Sequence, residues 1–403
     1  MEKNNLKENL HIILDKLFTK KQNDAPARIF FDKIFNNIDC KKNLLATPWN
    51  VSWQICANCN LRCKHCFFEG DESKYDQTYN LTNKRALTLV DELFNDLSVV
   101  NLTITGGEPF LRKDIFEILK KIKSKNIILW QQTNGTLITK DVAKKLSKIL
   151  NLKTDCIQIS LDASNEELLK NIRGANVYKK TLQGIKNLLE YDIPVSVNCT
   201  ALSTNIENAP KLYDLCSELK VNKFSLTKFT PMNEMQKILV PDSEILFNVL
   251  AQIIRKEKTG LTTPFEMSTI KFFDLVEKDI YRNIVDNYLK ENKIKAPKLC
   301  NNISCHIHNI LYINSNGNVS FCFNASEPEY SLGNIKDNTL IEIWEKRHEN
   351  LFFQPRKIYN MLCKKCKYFS YCKGGCMASA YKKYGKIDSP DALCKYAVEQ
   401  FNL

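Results

Sequence analysis

The chain has 403 residues, of which 44% are hydrophobic and 26% are charged, so it can form one large domain and a smaller one. Its first residues lack the apolar core of a signal peptide, and no apolar run is long enough to span a membrane. This excludes an integral membrane protein and predicts a cytoplasmic one. Sixteen cysteines in such a chain favour metal ligation over disulfides, because reducing compartments keep thiols free.

The net charge of +13 is spread over scattered lysines without a polybasic block. It reflects either a lysine-rich composition or an acidic partner, such as a peptide or a carboxylate-rich small molecule. No nucleic-acid recognition motif accompanies the charge, so we expect no nucleic-acid partner.

Apolar residues at helical spacing predict two amphipathic helices in residues 1–46. Leu6 and Leu10 lie on the face of one, and Ile34 and Ile38 on the face of the other. The segment is too short for a complete winged-helix peptide-binding domain. We therefore interpret it as an N-terminal helical cap.

Short β-branched runs alternate with amphipathic helices through residues 47–240. The predicted strands are 51–55, 100–104, 127–132, 156–161, 193–199 and 222–227. The predicted helices are 82–97, 113–124, 139–149, 177–191 and 207–219. This alternation predicts an α/β fold with right-handed βαβ units and a parallel sheet, a partial (β/α)6 barrel of the TIM type. In such barrels the chemistry lies at the carboxyl ends of the strands.

Three cysteines follow the first predicted strand at C-x3-C-x2-C spacing, namely Cys59, Cys63 and Cys66. Three thiolates on one short loop can hold three corners of a cubane [4Fe–4S] cluster and leave the fourth iron open to a small molecule. Cys56 could complete a four-cysteine zinc set, but zinc sites usually separate their two pairs by about a dozen residues or more. We therefore interpret the three as cluster ligands and Cys56 as a non-ligand.

Polar residues follow the other predicted strands as well. Gly106, Gly107 and Glu108 come after the second strand, where glycines let a ligand approach the backbone and a carboxylate can accept hydrogen bonds from an ammonium group. The other strand-end candidates are Gln132, Asn134, Ser160 and Arg173. Each alone could be structural, since such residues are common in turns. Together they predict a binding site, because the ends of parallel strands share one face.

Residues 241–299 are lysine-rich and read as a helical bridge without a motif. Residues 300–403 are dense in cysteine and have little core, which predicts a small domain held by metal. The eight late cysteines are enough for two four-thiolate sets, either clusters or, alternatively, two zinc sites. They are Cys300, Cys305, Cys322, Cys363, Cys366, Cys372, Cys376 and Cys394. A β-hairpin is predicted from 310–313 and 319–323, with Cys322 on its second strand.

With these motifs the chain resembles the radical S-adenosylmethionine (SAM) enzymes, and within them the SPASM subfamily. The similarity covers most of residues 48–235 and 300–394. It is most specific in the C-x3-C-x2-C loop, the GGEP turn at Gly106, and the seven-cysteine series from Cys305 to Cys394. The resemblance implies a radical SAM partial barrel followed by a cysteine-rich iron–sulfur (SPASM) domain with two auxiliary [4Fe–4S] clusters.

The resemblance also implies roles for single residues. Cys59, Cys63 and Cys66 would hold the catalytic [4Fe–4S] cluster, whose open iron is chelated by SAM. The implied SAM contacts are Gly106, Gly107 and Glu108 at the methionine ammonium, Ser160 and Arg173 at the carboxylate or ribose, Gln132 and Asn134 on the ribose side, and Asn198 and Cys199 near the adenine. The implied auxiliary sets are Cys300, Cys305, Cys322 and Cys376 for one cluster, and Cys363, Cys366, Cys372 and Cys394 for the other.

The chemistry that the resemblance implies is reductive cleavage of SAM to a 5′-deoxyadenosyl radical, which takes a hydrogen atom from the substrate. The electron would come from a reductant such as flavodoxin or ferredoxin, and an auxiliary cluster could accept the electron left on the substrate radical or bind a substrate group. The leading substrate is a ribosomally made peptide, modified by cross-linking, thioether formation or epimerisation.

Three alternatives stay open at this point. A second group in the family alters the propionates of haem-like tetrapyrroles. Sulfatase-maturing relatives usually carry an Asp directly after the hairpin cysteine, whereas here Phe323 and Asn324 follow Cys322. A non-catalytic iron–sulfur or zinc protein would leave the GGEP turn, Ser160 and Arg173 without a task.

Overall fold

The structure is a computed structural model that describes residues 2–18, 48, 50–67, 80–231, 235–260, 263–296, 302–303, 310–325, 330–353, 356–357 and 361–402. The chain divides into two compact units. The sheet unit comprises residues 47–269 and 310–347, and the cysteine-rich unit comprises residues 1–46, 270–309 and 348–403. The boundaries proposed from the sequence, at residues 46, 240 and 299, stay a prediction.

The strands are β1 (Asn50–Gln54), β2 (Asn101–Thr105), β3 (Ile128–Thr133), β4 (Cys156–Ser160), β5 (Val195–Ala201), β6 (Lys223–Lys228), β7 (Phe265–Ser268), β8 (Asn302–Ile303), β9 (Ile310–Ile313), β10 (Asn318–Ser320), β11 (Gly333–Asn334) and β12 (Arg356–Lys357).

The α-helices are α1 (Glu2–Phe18), α2 (Asn83–Asn95), α3 (Ile115–Ser124), α4 (Lys140–Ser147), α5 (Glu166–Arg173), α6 (Tyr178–Glu190), α7 (Ala209–Glu218), α8 (Ser243–Lys258), α9 (Asp279–Glu291), α10 (Leu340–Glu345), α11 (Phe369–Cys372), α12 (Met377–Tyr384) and α13 (Lys395–Phe401). Short 3₁₀ helices include Pro109–Leu111, Met235–Leu239 and Phe323–Ala325.

The sheet unit is built on one sheet with the strand order β11-β10-β9-β1-β2-β3-β4-β5-β6-β7. Strands β1 to β7 run parallel in sequence order, which confirms the six predicted strands and the α/β partial-barrel fold. The sequence analysis missed β7, a strand of four residues. It also did not foresee that β9 pairs in parallel with β1, because a pairing between residues so distant in the chain leaves no local pattern.

The two faces of the parallel strands differ in polarity because side chains alternate along a strand. On one face Trp53 pairs with Ile104 across β1 and β2, Ile157 pairs with Val195 across β4 and β5, and all four are fully buried. The other face carries polar side chains at the carboxyl ends of the strands, including the register pair Ser160 and Asn198. The predicted site residues Gln132, Ser160 and Asn198 therefore share this second face, whereas Cys199 lies on the same face as Val195.

The five predicted helices of the barrel are confirmed as α2, α3, α4, α6 and α7. The sequence analysis missed α5, which has eight residues. Its start is fixed by Asn165, whose side chain accepts a hydrogen bond from the backbone N–H of Leu168. It ends at Gly174 in the left-handed conformation, which places Arg173 in its last turn.

The late hairpin is confirmed, with β9 and β10 antiparallel, but its second strand is shorter than predicted. Strand β10 ends at Ser320, and the N–H of Ala325 donates to the carbonyl of Cys322 as the chain turns. The prediction that Cys322 lies on the strand is therefore wrong, since the pairing of β10 with β9 ends before residue 322.

The cysteine-rich unit contains the first of the two predicted N-terminal helices. Helix α1 packs on α9, where the hydroxyl of Tyr288 donates to Asp15 at 2.7 Å. The ring of Tyr288 contacts the ring of His11 edge-on. The second predicted helix, around Ile34, lies outside the described residues. No helix among the described residues is long and apolar enough to cross a membrane.

The packing of α6 on the turn after β3 yields a testable prediction. A Cβ added to Gly184 would lie 2.3 Å from the carbonyl oxygen of Gly135, well inside contact distance. We expect Gly184→Ala to lower the free energy of unfolding by about 1–3 kcal/mol through overpacking, although alanine is the better helix former. Urea unfolding measures this change in the free energy of unfolding. The control is Lys180→Ala, an exposed substitution on the same helix, which should change the free energy of unfolding by less than about 0.5 kcal/mol. A Gly184→Ala chain as stable as the wild type would contradict this packing.

Candidate functional site

The loop that carries the three cysteines is joined to the GGEP turn through the backbone. The N–H of Gly107 donates to the carbonyl of Cys56 at 2.8 Å, and the N–H of Glu108 donates to that of Asn58 at 2.8 Å. A Cβ on Gly107 would lie 2.1 Å from the Asn58 oxygen. The two backbones thus approach more closely than any side chain at Gly107 would permit.

The far side of the loop is held by the end of α5 and by the turn after β3. The N–H of Lys64 donates to the carbonyl of Ile172 at 2.9 Å, and that of Arg62 to the carbonyl of Arg173 at 3.3 Å. The side chains of Asn60 and Asn134 share a hydrogen bond of 2.8 Å. Three neighbouring segments therefore fix the course of the cysteine loop.

A cavity of about 330 Å³ opens at the carboxyl ends of the strands, within the sheet unit. The three loop cysteines all line it, and so do most of the residues predicted at strand ends. Those predicted residues that line the cavity are Cys59, Cys63, Cys66, Gly106, Gly107, Gln132, Asn134, Ser160 and Arg173.

Three predicted SAM contacts are not among the lining residues, namely Glu108, Asn198 and Cys199. The fully buried carboxylate of Glu108 accepts hydrogen bonds from the hydroxyl of Thr133 at 2.7 Å and the N–H of Asn134 at 2.8 Å. Burial raises its pKa, while these donors oppose the rise. Glu108 therefore ties the GGEP turn to the turn after β3.

The other two predicted SAM contacts outside the lining, Asn198 and Cys199, lie on β5. Asn198 accepts a hydrogen bond of 2.7 Å from the hydroxyl of Thr227, which itself lines the cavity. Cys199 is fully buried, since its side chain alternates with those of Asn198 and Thr200 along the strand. Thr200, one position later, is the lining residue from this strand.

A buried ion pair forms one wall of the cavity. Asp162 receives hydrogen bonds from the guanidinium of Arg173 at 2.7 Å and from the N–H of Thr200 at 2.9 Å, and the Nε2 atom of His65 lies 3.6 Å away. Burial would raise the pKa of Asp162, but Arg173 and His65 together hold it below its usual value. The pair keeps Arg173 charged and fixed in direction at the cavity surface.

Sequence reasoning missed the residues on the remaining walls. Phe67 and Phe323 meet edge-on, with ring centres 5.3 Å apart. The further missed lining residues are Leu61, His65, Thr105, Thr133, Thr200, Thr227, Lys228, Phe229, Thr230 and Thr269. A signal was available, since Phe67 directly follows Cys66 and the threonines stand at the ends of β2, β3, β5, β6 and β7.

The three loop cysteines fit a cubane cluster by donor type and by placement on one cavity. Burial raises the pKa of the Cys63 thiol to about 11, against the influence of Arg173, and bound iron would deprotonate it. Among the described residues no three Cys, His, Asp or Glu side chains are grouped to hold one metal ion. In a cubane each thiolate binds a different iron.

Cys56 differs from the three loop cysteines in its surroundings. It is fully buried, does not line the cavity, and its thiol lies 3.3 Å from the carbonyl oxygen of Glu108. Burial raises its pKa to about 12. Its position suits a packing residue between the loop and the GGEP turn.

In the cysteine-rich unit, four late cysteines surround one small cavity of about 10 Å³. They are Cys363, Cys366, Cys372 and Cys394, the set that the family resemblance implied for one auxiliary cluster. Their thiols are close enough to affect one another electrostatically, since Cys363 and Cys372 each contribute to the raised pKa of Cys394 after burial. Four thiolates around one space are the donor set of an iron–sulfur cluster.

The other auxiliary set is not assembled by the described residues. Cys300 and Cys305 lie outside them, while Cys322 belongs to the sheet unit and Cys376 to the cysteine-rich unit. The thiol of Cys376 caps α12 by accepting a hydrogen bond of 3.5 Å from the N–H of Ser379. This set of ligands stays a prediction.

Two family profiles match the chain. The Radical SAM superfamily matches residues 53–216, and an iron–sulfur cluster-binding domain, SPASM, matches residues 300–367. The first region contains the cysteine loop, the GGEP turn and Arg173. The second contains five of the late cysteines, Cys300, Cys305, Cys322, Cys363 and Cys366.

Known proteins resemble the chain over most of its length. It is 25% identical over 361 residues to the AdoMet-dependent heme synthase of Methanosarcina barkeri, covering 87% of this chain and 97% of that protein. It is 25% identical over 360 residues to the mycofactocin maturase MftC of Mycolicibacterium smegmatis, covering 87% and 83%. The fold matches Streptococcus suis SuiB bound to precursor peptide SuiA, with a TM-score of 0.66, 18% identity and coverage of 93% and 82%.

These matches agree with the geometry of the cavity and of the late cysteines. Radical SAM enzymes bind SAM at a [4Fe–4S] cluster, and the SPASM domain binds auxiliary iron–sulfur clusters. The chain therefore carries a Radical SAM domain followed by a SPASM domain, and it is a radical SAM enzyme.

Proposed function

We propose that the protein modifies a ribosomally made peptide, by hydrogen abstraction from a side chain or backbone carbon held in the cavity of the sheet unit. The products would be a cross-link, a thioether or an epimerised residue. The catalytic cluster would be bound by Cys59, Cys63 and Cys66, and SAM by the residues that share their cavity.

The observation that carries the peptide proposal is the lining of the remaining walls. Thr200 and Thr230 offer hydroxyls that can both donate and accept, as the amide groups of a peptide require, and the hydroxyl of Thr227, which donates to Asn198, can still accept. Apart from Arg173, which Asp162 pairs, Lys228 is the one lysine or arginine among the described lining residues. A lining with so few cations suits an uncharged polyamide better than a macrocycle with several carboxylates.

Mechanistically, the cluster and SAM, when bound, supply an electron and the 5′-deoxyadenosyl radical. The chain's own residues bind and orient. Arg173, kept charged by Asp162, would pair with the carboxylate of SAM, and Ser160 would donate a hydrogen bond beside it. The backbone of Gly106 and Gly107 would lie against the methionine ammonium, within reach because neither residue has a side chain.

Glu108 has a positioning role in this proposal. Its carboxylate is occupied by Thr133 and Asn134, so it would fix the turn on which Asn134 faces the ligand and would not bind the ligand itself. Phe67 and Phe323 would exclude water from the wall next to the cysteines. Phe323 stands where sulfatase-maturing relatives usually have an Asp, which disfavours that activity.

The second candidate is a tetrapyrrole side-chain modifying enzyme. It is favoured by the similarity to a heme synthase over 97% of that protein's length. Both candidates share the SAM cleavage step and differ only in what is held near the radical.

A turnover experiment tests the choice of substrate. The reconstituted enzyme, with SAM and a reductant, is given peptides encoded by short reading frames beside its gene, or an iron porphyrin that carries propionates. We expect 5′-deoxyadenosine above the substrate-free background and a changed peptide mass or deuterium content with a peptide alone. Loss of carbon dioxide from the porphyrin, with no change in any peptide, would overturn the peptide proposal.

The roles of the first four cysteines give a prediction that needs no substrate. We expect Cys63→Ala to lose about four irons per chain and all reductive cleavage of SAM, because one corner of the cluster would lack its thiolate. Cys56→Ala should retain both, since its thiol lies outside the cavity. Iron analysis measures the bound cluster, and the yield of 5′-deoxyadenosine measures the cleavage of SAM. Equal iron loss in both variants would contradict the assignment.

The buried ion pair gives a prediction with a defined pH dependence. We expect Asp162→Asn to weaken SAM binding and to cost about 3–5 kcal/mol of unfolding free energy at pH 7, because Arg173 loses its buried partner. Since the folded-state pKa of Asp162 is lowered, its contribution is full above the unfolded-state pKa and is lost as the pH falls below it. The gap between the variant and wild type should therefore shrink below about pH 4.

Urea unfolding of the iron-free chain at several pH values measures this gap, and equilibrium dialysis measures SAM binding. The control is Asp91→Asn, which breaks exposed pairs with Lys121 and Lys125 and should cost less than about 1 kcal/mol. A gap for Asp162→Asn that is the same at pH 3 and pH 7 would contradict the role of its charge.

A further inference from the structure

Asp391 is a buried carboxylate in the cysteine-rich unit that no role described above uses. Its side chain is fully buried and lines the four-cysteine cavity, the space surrounded by Cys363, Cys366, Cys372 and Cys394. A carboxylate removed from water is costly unless it is paired and hydrogen-bonded. The donors that surround Asp391 therefore indicate what it holds in place.

Asp391 joins two of the chain segments that carry cysteines. Its carboxylate accepts hydrogen bonds from the N–H of Cys376 at 2.8 Å and from the N–H of Leu393 at 3.0 Å. Its own N–H donates to the carbonyl of Gly374 at 3.1 Å, and its carbonyl accepts from the N–H of Cys394 at 2.9 Å. The turn around Gly374 and the segment before Cys394 are therefore held together by this one residue.

The two segments also approach each other closely at Asp391. A Cβ on Gly375 would lie 2.5 Å from the Cβ atom of Asp391, and Gly375 has a φ of +70°, in the left-handed region that favours glycine. The hydroxyl of Ser379 adds a hydrogen bond of 2.7 Å to the carboxylate. The turn therefore packs directly on Asp391, as a positioning role requires.

The charge of Asp391 is balanced by Lys271. The ammonium lies 2.8 Å from the carboxylate and 5.3 Å from the centre of the Phe273 ring, which also lines the four-cysteine cavity. A carboxylate that accepts hydrogen bonds from an ammonium, a hydroxyl and two backbone N–H groups is held in its charged form. The two opposite charges therefore lie together at the wall of the cavity.

The carboxylate is close enough to the cysteines to act on a bound cluster. Burial raises the pKa of the Cys394 thiol to about 12, and the negative charge of Asp391 adds to the rise. The same charge would oppose the addition of an electron to an anionic cluster. A carboxylate binds backbone N–H groups well, but beside a cluster it makes reduction harder unless a cation offsets it.

We propose that Asp391 is a positioning residue that ties the Cys394 segment to the turn around Gly374, so that the thiols of the four-cysteine cavity surround one auxiliary cluster, and that Lys271 offsets its charge toward that cluster. The carboxylate lowers the reduction potential of the cluster, and the ammonium raises it. Burial of the carboxylate keeps solvent from fully screening the two charges. The redox couple concerned takes up one electron and transfers no atom.

The inference rests on the SPASM domain of the chain and not on the choice of substrate. Its test uses no substrate, so failure of the peptide proposal would leave it untouched.

The test is a redox titration followed by electron paramagnetic resonance. The parent is the reconstituted full-length chain with the three loop cysteines replaced by alanine, so that only late clusters contribute. In this parent we compare Asp391→Asn, which removes the negative charge, with Lys271→Met, which removes the positive charge, and with the chain that carries both changes. The signal that disappears in Cys363→Ala identifies the cluster of the four-cysteine cavity.

The matched control is Asp286→Asn, which breaks a pair with Lys367 in the same unit. Lys367 directly follows Cys366, but the side chains of the pair are 54% and 38% exposed, so solvent screens their charges. We expect this control to keep the parental potential.

We expect both single charge variants to bind as much iron as the parent, because the backbone bonds of Asp391 remain. Asp391→Asn should shift the midpoint potential to a more positive value, since the ammonium of Lys271 stays. Lys271→Met should shift it to a more negative value, since three donors still hold the carboxylate charged. The double variant should return close to the parental potential. Shifts in the same direction, or no shift in either variant at full iron content, would overturn the claim about charge.

The positioning role is tested by Asp391→Ala, which removes both side-chain oxygens. We expect it to lose about four irons per chain, whereas Asp391→Asn, which keeps one acceptor oxygen, retains them. Full iron content in Asp391→Ala would overturn the positioning role. If Asp391→Asn also loses this iron, Lys271→Met decides the claim about charge, since a more negative potential would support it and an unchanged potential would overturn it.

Discussion

The close approach of two backbones, at the cysteine loop and at the GGEP turn, is the constraint on which the active cavity depends. Gly107 lies so near the carbonyl of Asn58 that no side chain can be accommodated there. The hydrogen bonds from Gly107 and Glu108 to Cys56 and Asn58 then fix the loop relative to β2. Because β1 and β2 are neighbours in the sheet, this contact sets the height of the cysteines above the strand ends.

Charges in the cavity depend on the same arrangement. The end of α5 accepts hydrogen bonds from the loop and also carries Arg173, so the cysteines and the guanidinium are positioned by one helix terminus. Asp162 completes the wall by pairing with Arg173 and lying near His65. The loop residues and the charged wall are thus parts of one structure, as the proposed binding of a cluster and SAM in a single cavity requires.

Much of this site could be predicted from the sequence because its parts follow strands in chain order. The three loop cysteines, the two glycines of the GGEP turn and Arg173 all line the cavity for that reason. The placement of Glu108 could not be predicted, because its burial depends on Thr133 and Asn134 from the next turn. Local pattern also cannot reveal long-range pairing, such as that of β9 with β1. Strand β7 and helix α5 are too short for their apolar residues to show a clear strand or helix periodicity.

The central claim is that SAM binds to the open iron of a cluster held by Cys59, Cys63 and Cys66. The most direct measurement is electron paramagnetic resonance of the reduced, reconstituted full-length chain with and without SAM. The account predicts that SAM alters one part of the spectrum, and that this response disappears when the three cysteines are replaced by alanine. A spectrum that does not respond to SAM, or the same response in the alanine variant, would contradict it.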